Sequence, residues 1–184
     1  MIYALLDFDL LQKYDISIEE FIDKSNELNT PILQYRDKNS DIKEIKNRLI
    51  KIRTLWNKTL IINDYIELVE FADGLHIGQE DLEKYKSIEN IRKQIGNKIL
   101  GLSTHNKKEV LEANNMDINY IGLGAYRPTT TKDVSSIGGD NLLEIAKLSN
   151  KDVAIIGGVK LTDKIPTKYK VIGSDICKNI KGLK

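Results

Sequence analysis

Eight short apolar or β-branched runs, separated by amphipathic stretches, recur along the 184 residues, and this alternation constrains the fold more than any other feature. The runs are IYALLD (2–7), ILQYR (32–36), TLIIND (59–64), GLHIG (74–78), KILGLS (98–103), YIGLGA (120–125), VAIIGG (153–158) and YKVIGS (169–174). Runs of this length and apolarity suit parallel strands covered on both faces. Helices are predicted between them. Ser17 caps IEEFIDKSNEL with Glu20 completing a capping box, and Asn106 caps KKEVLEANN. Further helices are expected over Ser40 to Trp56, Tyr65 to Phe71, Leu82 to Ile95 and Asn141 to Leu148, with a short one after Leu161 and a stub after Ser174. Eight strand–helix units predict an α/β fold, a closed parallel (β/α)8 TIM barrel, with residues 1–184 as a single domain. An open doubly wound sheet would need fewer strands and a glycine-rich loop after the first, and LLDFDLLQ has no glycine. The chain is shorter than the roughly 250 residues usual for a barrel, so short helices and a reduced C-terminal unit are expected.

Charge narrows the choice of partners. Lys and Arg number 28 against 27 Asp and Glu, a formal charge of +1, so no global field draws nucleic acid or an anionic membrane. Phosphate binding must then come from local placement. The opening MIYALLDFDLL lacks a basic region and meets Asp7 and Asp9 early, which argues against a secretory signal. No apolar run approaches the roughly 18 residues of a membrane span. Cys177 is the single cysteine, so an internal disulfide is excluded and a reducing cytoplasm is expected; the residue itself reads as a small buried side chain. Association of identical copies stays open.

In such a barrel the active site lies at the carboxyl ends of the strands, and each apolar run here gives way to polar residues at its carboxyl end. Period-two alternation puts Gln34, Arg36 and Lys38 on one face, with Tyr35 and Asp37 turned away. An amide, a planar fork donor and a point charge suit a ligand carrying both a heterocycle and a phosphate. Asp64 and Asp81 succeed neighbouring strands, which run about 4.8 Å apart, so both carboxylates can reach one hard cation, best Mg2+. Their plainer reading is as caps of the next helices. Glu80 is expected to point elsewhere. His76 reads as a hydrogen-bonded structural residue, and His105 as the solvent-facing start of a helix. Without histidine or cysteine partners at ligand spacing, zinc is not expected. The Pro128-Thr129-Thr130-Thr131-Lys132 loop gathers hydroxyls, amides and a cation. Gly157-Gly158 and Gly173-Ser174 end the last two runs, where barrels often bind phosphate through backbone N–H groups.

Taken together, Gln34-Tyr35-Arg36-Asp37-Lys38, IINDYIELVEFADGLHIGQED (61–81), GLSTHN from Gly101, YIGLGAYRPTTTK (120–132) and AIIGGV from Ala154 resemble the thiamine phosphate synthase family in order and approximate spacing. The resemblance covers about Leu33 to Ser174. It implies a transferase that joins hydroxymethylpyrimidine diphosphate to hydroxyethylthiazole phosphate, giving thiamine phosphate and pyrophosphate. By motif, Arg36, Lys38, Asn63 and Lys132 would hold the diphosphate, Asp64 and Asp81 would bridge Mg2+, and Gln34 and Ser103 would orient the aminopyrimidine. Thr129 and Thr131, with backbone at Gly158, Gly173 and Ser174, would hold the thiazole phosphate. Gly173 stands where the family usually has an apolar residue, and the segment after Gly158 is compressed. The related thiazole tautomerases use a histidine after the sixth strand; here the stretch reads Gly124-Ala125-Tyr126-Arg127, which disfavours them. A diverged tautomerase-like paralogue and a noncatalytic thiamine-precursor binding protein are the competing readings.

Overall fold

A computed structural model describes residues 1–128 and 138–183. Eight parallel strands close into a barrel in chain order. They are β1 (Ile2–Asp7), β2 (Ile32–Arg36), β3 (Thr59–Asn63), β4 (Gly74–Ile77), β5 (Ile99–Thr104), β6 (Tyr120–Leu123), β7 (Asp152–Ile155) and β8 (Tyr169–Ile172). Closure comes from β1 against β8, in the register Tyr3 to Val171 and Ala4 to Ile172. Helices α1 (Phe8–Tyr14), α2 (Ile18–Glu27), α3 (Ile42–Leu55), α4 (Gln79–Tyr85), α5 (Ile88–Ile95), α6 (Lys107–Ala113), α7 (Asn141–Ala146) and α8 (Ser174–Ile180) lie along the chain, with a 3-10 helix over Ile66–Phe71.

Burial sorts each strand by parity. Ala4, Leu6, Leu33, Tyr35, Leu60 and Ile62 face outward into the main core, where they meet α-helical residues such as Phe21, Leu49 and Ile176. Tyr3, Leu5, Ile61, Tyr120, Ala154 and Val171 form a second, smaller core inside the barrel. The apolar runs lack strict alternation because both faces are covered. The interior is narrow, and glycine makes room for its largest rings. A Cβ on Gly101 would lie 2.1 Å from Cζ of Tyr120, the residue paired with it across β5 and β6.

Local capping explains most of the helix boundaries. Ser17 and Glu20 form the expected capping box on α2, and Asn106 caps α6 through the Glu109 N–H at 3.0 Å. α3 starts later than Ser40, because Asp41 accepts from the Glu44 N–H at 2.9 Å. The stretch Leu82 to Ile95 is two helices: Lys86 takes a left-handed φ of 69° that stops α4, and Ser87 then caps α5. α1 is an addition to the elements expected from the sequence. Asp7, the last residue of β1, caps it by accepting from the Leu10 N–H at 3.1 Å.

The helix expected after Leu161 does not form. Its backbone is taken up by side chains from elsewhere: Asp175 accepts from the Leu161 N–H at 2.7 Å, and Lys170 donates to the Leu161 carbonyl at 2.6 Å. Pro166 breaks the remainder. The connection from β7 to β8 is therefore helix-free, while α8 runs seven residues, matching the expected stub.

Candidate active site

A cavity opens at the carboxyl ends of the strands, and Gln34, Arg36, Lys38, Asn63, Asp64 and Asp81 all line it. Ser103, Gly158, Gly173 and Ser174 complete the set of predicted residues that the structure brings together there. Thr129, Thr131 and Lys132 lie outside the described residues.

The period-two reading of β2 holds in detail. Gln34, Arg36 and Lys38 face the cavity, while Tyr35 donates to Asp37 at 2.9 Å and Arg48 reaches the same carboxylate at 2.8 Å on the other side. Arg36 is paired with Asp7, a carboxylate only 2% exposed. Because Asp7 and Arg36 are register partners on adjacent strands, this contact is set by the sheet. Lys38 likewise pairs with Asp64, and Asn63 donates to the other oxygen of that carboxylate. Both basic side chains are thus held by carboxylates before any ligand arrives, which reduces the conformational freedom lost on binding.

Asp64 has a left-handed φ of 63°, a conformation that Asp tolerates better than most residues. Its N–H donates to the His76 carbonyl at 2.9 Å, which anchors the turn between β3 and the 3-10 helix. Asp64 does not cap that helix, whose N-cap is Tyr65 without a side-chain hydrogen bond. Asp81, at the third position of α4, accepts from the Gly78 N–H at 3.0 Å, so it both caps the helix and reaches the cavity. Burial, followed by the neighbouring Asp64 carboxylate, raises the Asp81 carboxyl above its ordinary value against the lowering effect of the Gly78 N–H.

Across the cavity the described lining includes three glycines, at 157, 158 and 173. Gly157 and Gly158 take φ values of 93° and 62°, open to glycine and strained for other residues. A Cβ on Gly158 would lie 2.7 Å from Cβ of Arg127 and 2.9 Å from the Pro128 carbonyl. Arg127 braces this corner by donating to the Gly158 carbonyl at 3.1 Å and to Asp163 at 3.0 Å. Gly173 is the N-cap of α8, and a Cβ there would press on the Leu5 carbonyl at 3.0 Å.

Three residues differ from expectation. Glu80 lines the cavity, because α4 begins at Gln79 and carries it on the first turn. His105 also lines it, held by Glu109 at 2.9 Å while its side chain stays 35% exposed to solvent. Asp7 is absent from the motif-based set of site residues, although its position level with Arg36 at a strand end is readable from strand parity. His76 is hydrogen-bonded as expected, to Tyr120 and Ser103 at 3.0 Å each, and it also borders the cavity.

A closed parallel barrel whose carboxyl-end cavity combines paired cations, adjacent carboxylates and bare glycine backbone defines an enzyme for anionic, oxygen-rich substrates. Residues 11–166 match the family model described as thiamine monophosphate synthase, and the chain belongs to that family. The thiamine-phosphate synthase of Persephonella marina is 35% identical over 178 residues, covering 90% of this chain and 81% of the relative. That of Dictyoglomus turgidum is 38% identical over 173 residues, covering 85% and 74%. Among solved structures, thiamine phosphate pyrophosphorylase from Pyrococcus furiosus superposes with a TM-score of 0.80 at 22% identity, covering 99% of this chain and 93% of that one. The tryptophan synthase α-subunit of the same organism gives 0.72 at 13% identity, covering 98% and 90%. At these identities the structural likeness is one of fold.

Proposed function

We propose that the chain is a thiamine phosphate synthase, which joins a 4-amino-5-hydroxymethylpyrimidine diphosphate to a hydroxyethylthiazole phosphate and releases pyrophosphate. The observation that carries this reading is the convergence of Arg36, Lys38, Asn63, Asp64 and Asp81 on one cavity that also holds Gln34 and Ser103. Cations and carboxylates together suit a diphosphate with its metal, and the uncharged Gln34 and Ser103 suit a heterocycle.

The donor chemistry fits magnesium. Asp64 and Asp81 offer hard carboxylate oxygens on one cavity, and burial together with the Asp64 charge raises Asp81, the condition a shared divalent cation would relieve. When bound, the ion would neutralise charge on the diphosphate oxygens. Arg36 and Lys38 would hold the diphosphate and stabilise the negative charge that grows as the C–O bond to pyrophosphate breaks. Asn63 would add an amide donor and Lys132 a further cation. The pyrimidine methyl cation left behind is stabilised by resonance with the ring amino group, and the thiazole nitrogen attacks it to form the new C–N bond. No protein nucleophile takes part. Thr129 and Thr131, with the backbone of Gly158, Gly173 and Ser174, would seat the thiazole phosphate.

A tautomerase-like enzyme or a noncatalytic binder of thiazole phosphate would have no use for the Arg36, Lys38, Asp64 and Asp81 cluster. No helix among the described residues is long and apolar enough to cross a membrane. A cytoplasmic location suits the free, buried thiol of Cys177. The direct test is pyrophosphate release by the purified protein given both substrates, with and without magnesium. Magnesium-dependent release that requires the thiazole phosphate and yields thiamine phosphate is the expected result. A folded protein that binds thiazole phosphate and releases nothing would sink the proposal.

A further inference from the structure

Beneath the cavity, between Gln34 and Ser103 of its lining, runs a chain of side-chain hydrogen bonds whose direction is set by the Gln34 amide. Gln34 Nε2 donates to the Tyr3 hydroxyl at 2.7 Å. An amide nitrogen only donates, so the Tyr3 oxygen accepts there and its own proton passes to the Tyr120 hydroxyl, 2.7 Å away. The Tyr120 proton goes in turn to His76 Nδ1 at 3.0 Å. A neutral imidazole that accepts at Nδ1 carries its proton on Nε2. That nitrogen lies 3.0 Å from Ser103 Oγ, which accepts from it. Each phenol has a single proton to give, so the orientation of the Gln34 amide sets the direction of the whole chain.

The two ends of the chain then present defined groups to the cavity that Gln34 and Ser103 line. Gln34 gives one of its two N–H groups to Tyr3, which turns its carbonyl oxygen toward the cavity as an acceptor. Ser103 receives a proton from His76 and leaves its own O–H as a donor. A 4-aminopyrimidine offers the complement, an amino donor beside an accepting ring nitrogen. Its 4-oxo counterpart offers the reverse, a carbonyl acceptor beside a ring N–H. Turning the Gln34 amide over would reverse every bond in the chain and favour the oxo ring.

We infer that Tyr3, Tyr120 and His76 are positioning residues that set this acceptor and donor polarity at Gln34 and Ser103, and thereby select the amino ring over the oxo ring. The inference rests on the pyrimidine reading given above and adds the origin of its selectivity. Neither tyrosine is required for packing through its hydroxyl: Tyr3 meets the rings of Tyr120 and Tyr169 edge-on at centroid distances of 5.8 and 6.1 Å. Phenylalanine keeps those contacts.

The test is calorimetric titration of the wild type, Tyr3→Phe and Tyr120→Phe with the 4-amino and 4-oxo pyrimidine diphosphates and with inorganic pyrophosphate, all without thiazole phosphate. The wild type is expected to bind the amino form about a hundredfold more tightly, since a site built around specific hydrogen bonds rejects a mismatched ligand strongly. Each variant should lose about tenfold of that ratio while its affinity for pyrophosphate is kept. A thermal melt identifies a variant that does not fold, in which case the other decides. Equal binding of the two rings by the wild type, or an unchanged ratio in the folded variants, would overturn the inference and leave the substrate reading standing. Binding of neither ring form more tightly than pyrophosphate alone would overturn the substrate reading and the inference with it.

Discussion

Under the proposed reading, the two sides of the cavity would hold phosphate in different ways. Around β1 to β4 the means are charges tied to one another: Asp7 to Arg36, and Asp64 to Lys38. Around β7 and β8 the means would be glycines, at 157, 158 and 173, where a Cβ would collide with Ala125 or Arg127 at the first two and crowd the Leu5 carbonyl at the third. The charged side is fit for a group whose charge changes during reaction, since preset cations stabilise a departing pyrophosphate. The bare side is fit for a phosphate that only has to be seated.

If this division holds, substitutions on the two sides should separate turnover from binding. Asp64→Asn keeps the size and the left-handed backbone but removes the charge, and is expected to lower kcat by at least about a hundredfold with the melting temperature nearly unchanged. Near-normal turnover in that folded variant would break the contrast on the charged side. Asp7→Asn keeps the cap on α1 but leaves Arg36 without its anionic partner. It is expected to reduce kcat/KM for the pyrimidine diphosphate about tenfold, measured by steady-state kinetics. Gly158→Ala forces a Cβ into a position with φ of 62° and should raise KM for the thiazole phosphate about fivefold, with a stability loss of about 1–3 kcal/mol. A larger effect of that variant on pyrophosphate binding than on thiazole phosphate would erase the distinction between the two sides.

The smallest effect concerns the support beneath the glycine side. Burial, then the Asp7 charge, pushes the Cys177 thiol in α8 from 9.0 up to about 12. The folded state therefore retains this proton after the unfolded chain has lost it, and stability should fall as the pH rises above 9 toward 12. Cys177→Ala should blunt the early part of that loss in thermal melts taken across the alkaline range, while alkylation of the native thiol at neutral pH should be slow.

The strands are legible in the sequence because burial on both faces leaves uninterrupted apolar runs. β1 and β2 match their runs end to end, and parity alone assigns Gln34, Arg36 and Lys38 to the cavity. The features that escape a sequence reading depend on contacts between distant residues. The apolar pattern from Leu82 to Ile95 continues through the break at Lys86, since periodicity does not register a single positive φ. A short helix is expected after Leu161, but Asp175 and Lys170 claim its backbone and Pro166 cuts it short. His105 borders the cavity because Glu109, one turn later, holds its ring. Asp7 is hidden for another reason: it serves as strand end, helix cap and ion-pair partner at once, and local sequence shows only the first of these.

The closeness of Gly101 to the Tyr120 ring has a consequence for how this enzyme can change. The ring packs in the barrel's inner core, and its hydroxyl is hydrogen-bonded to His76, which lines the cavity. A larger residue at 101 would evict that ring, altering barrel closure and ligand selectivity in one step. Here the keystone of the architecture and the floor of the workshop are the same stone, so mutations that strengthen the barrel from within will rarely leave its chemistry untouched.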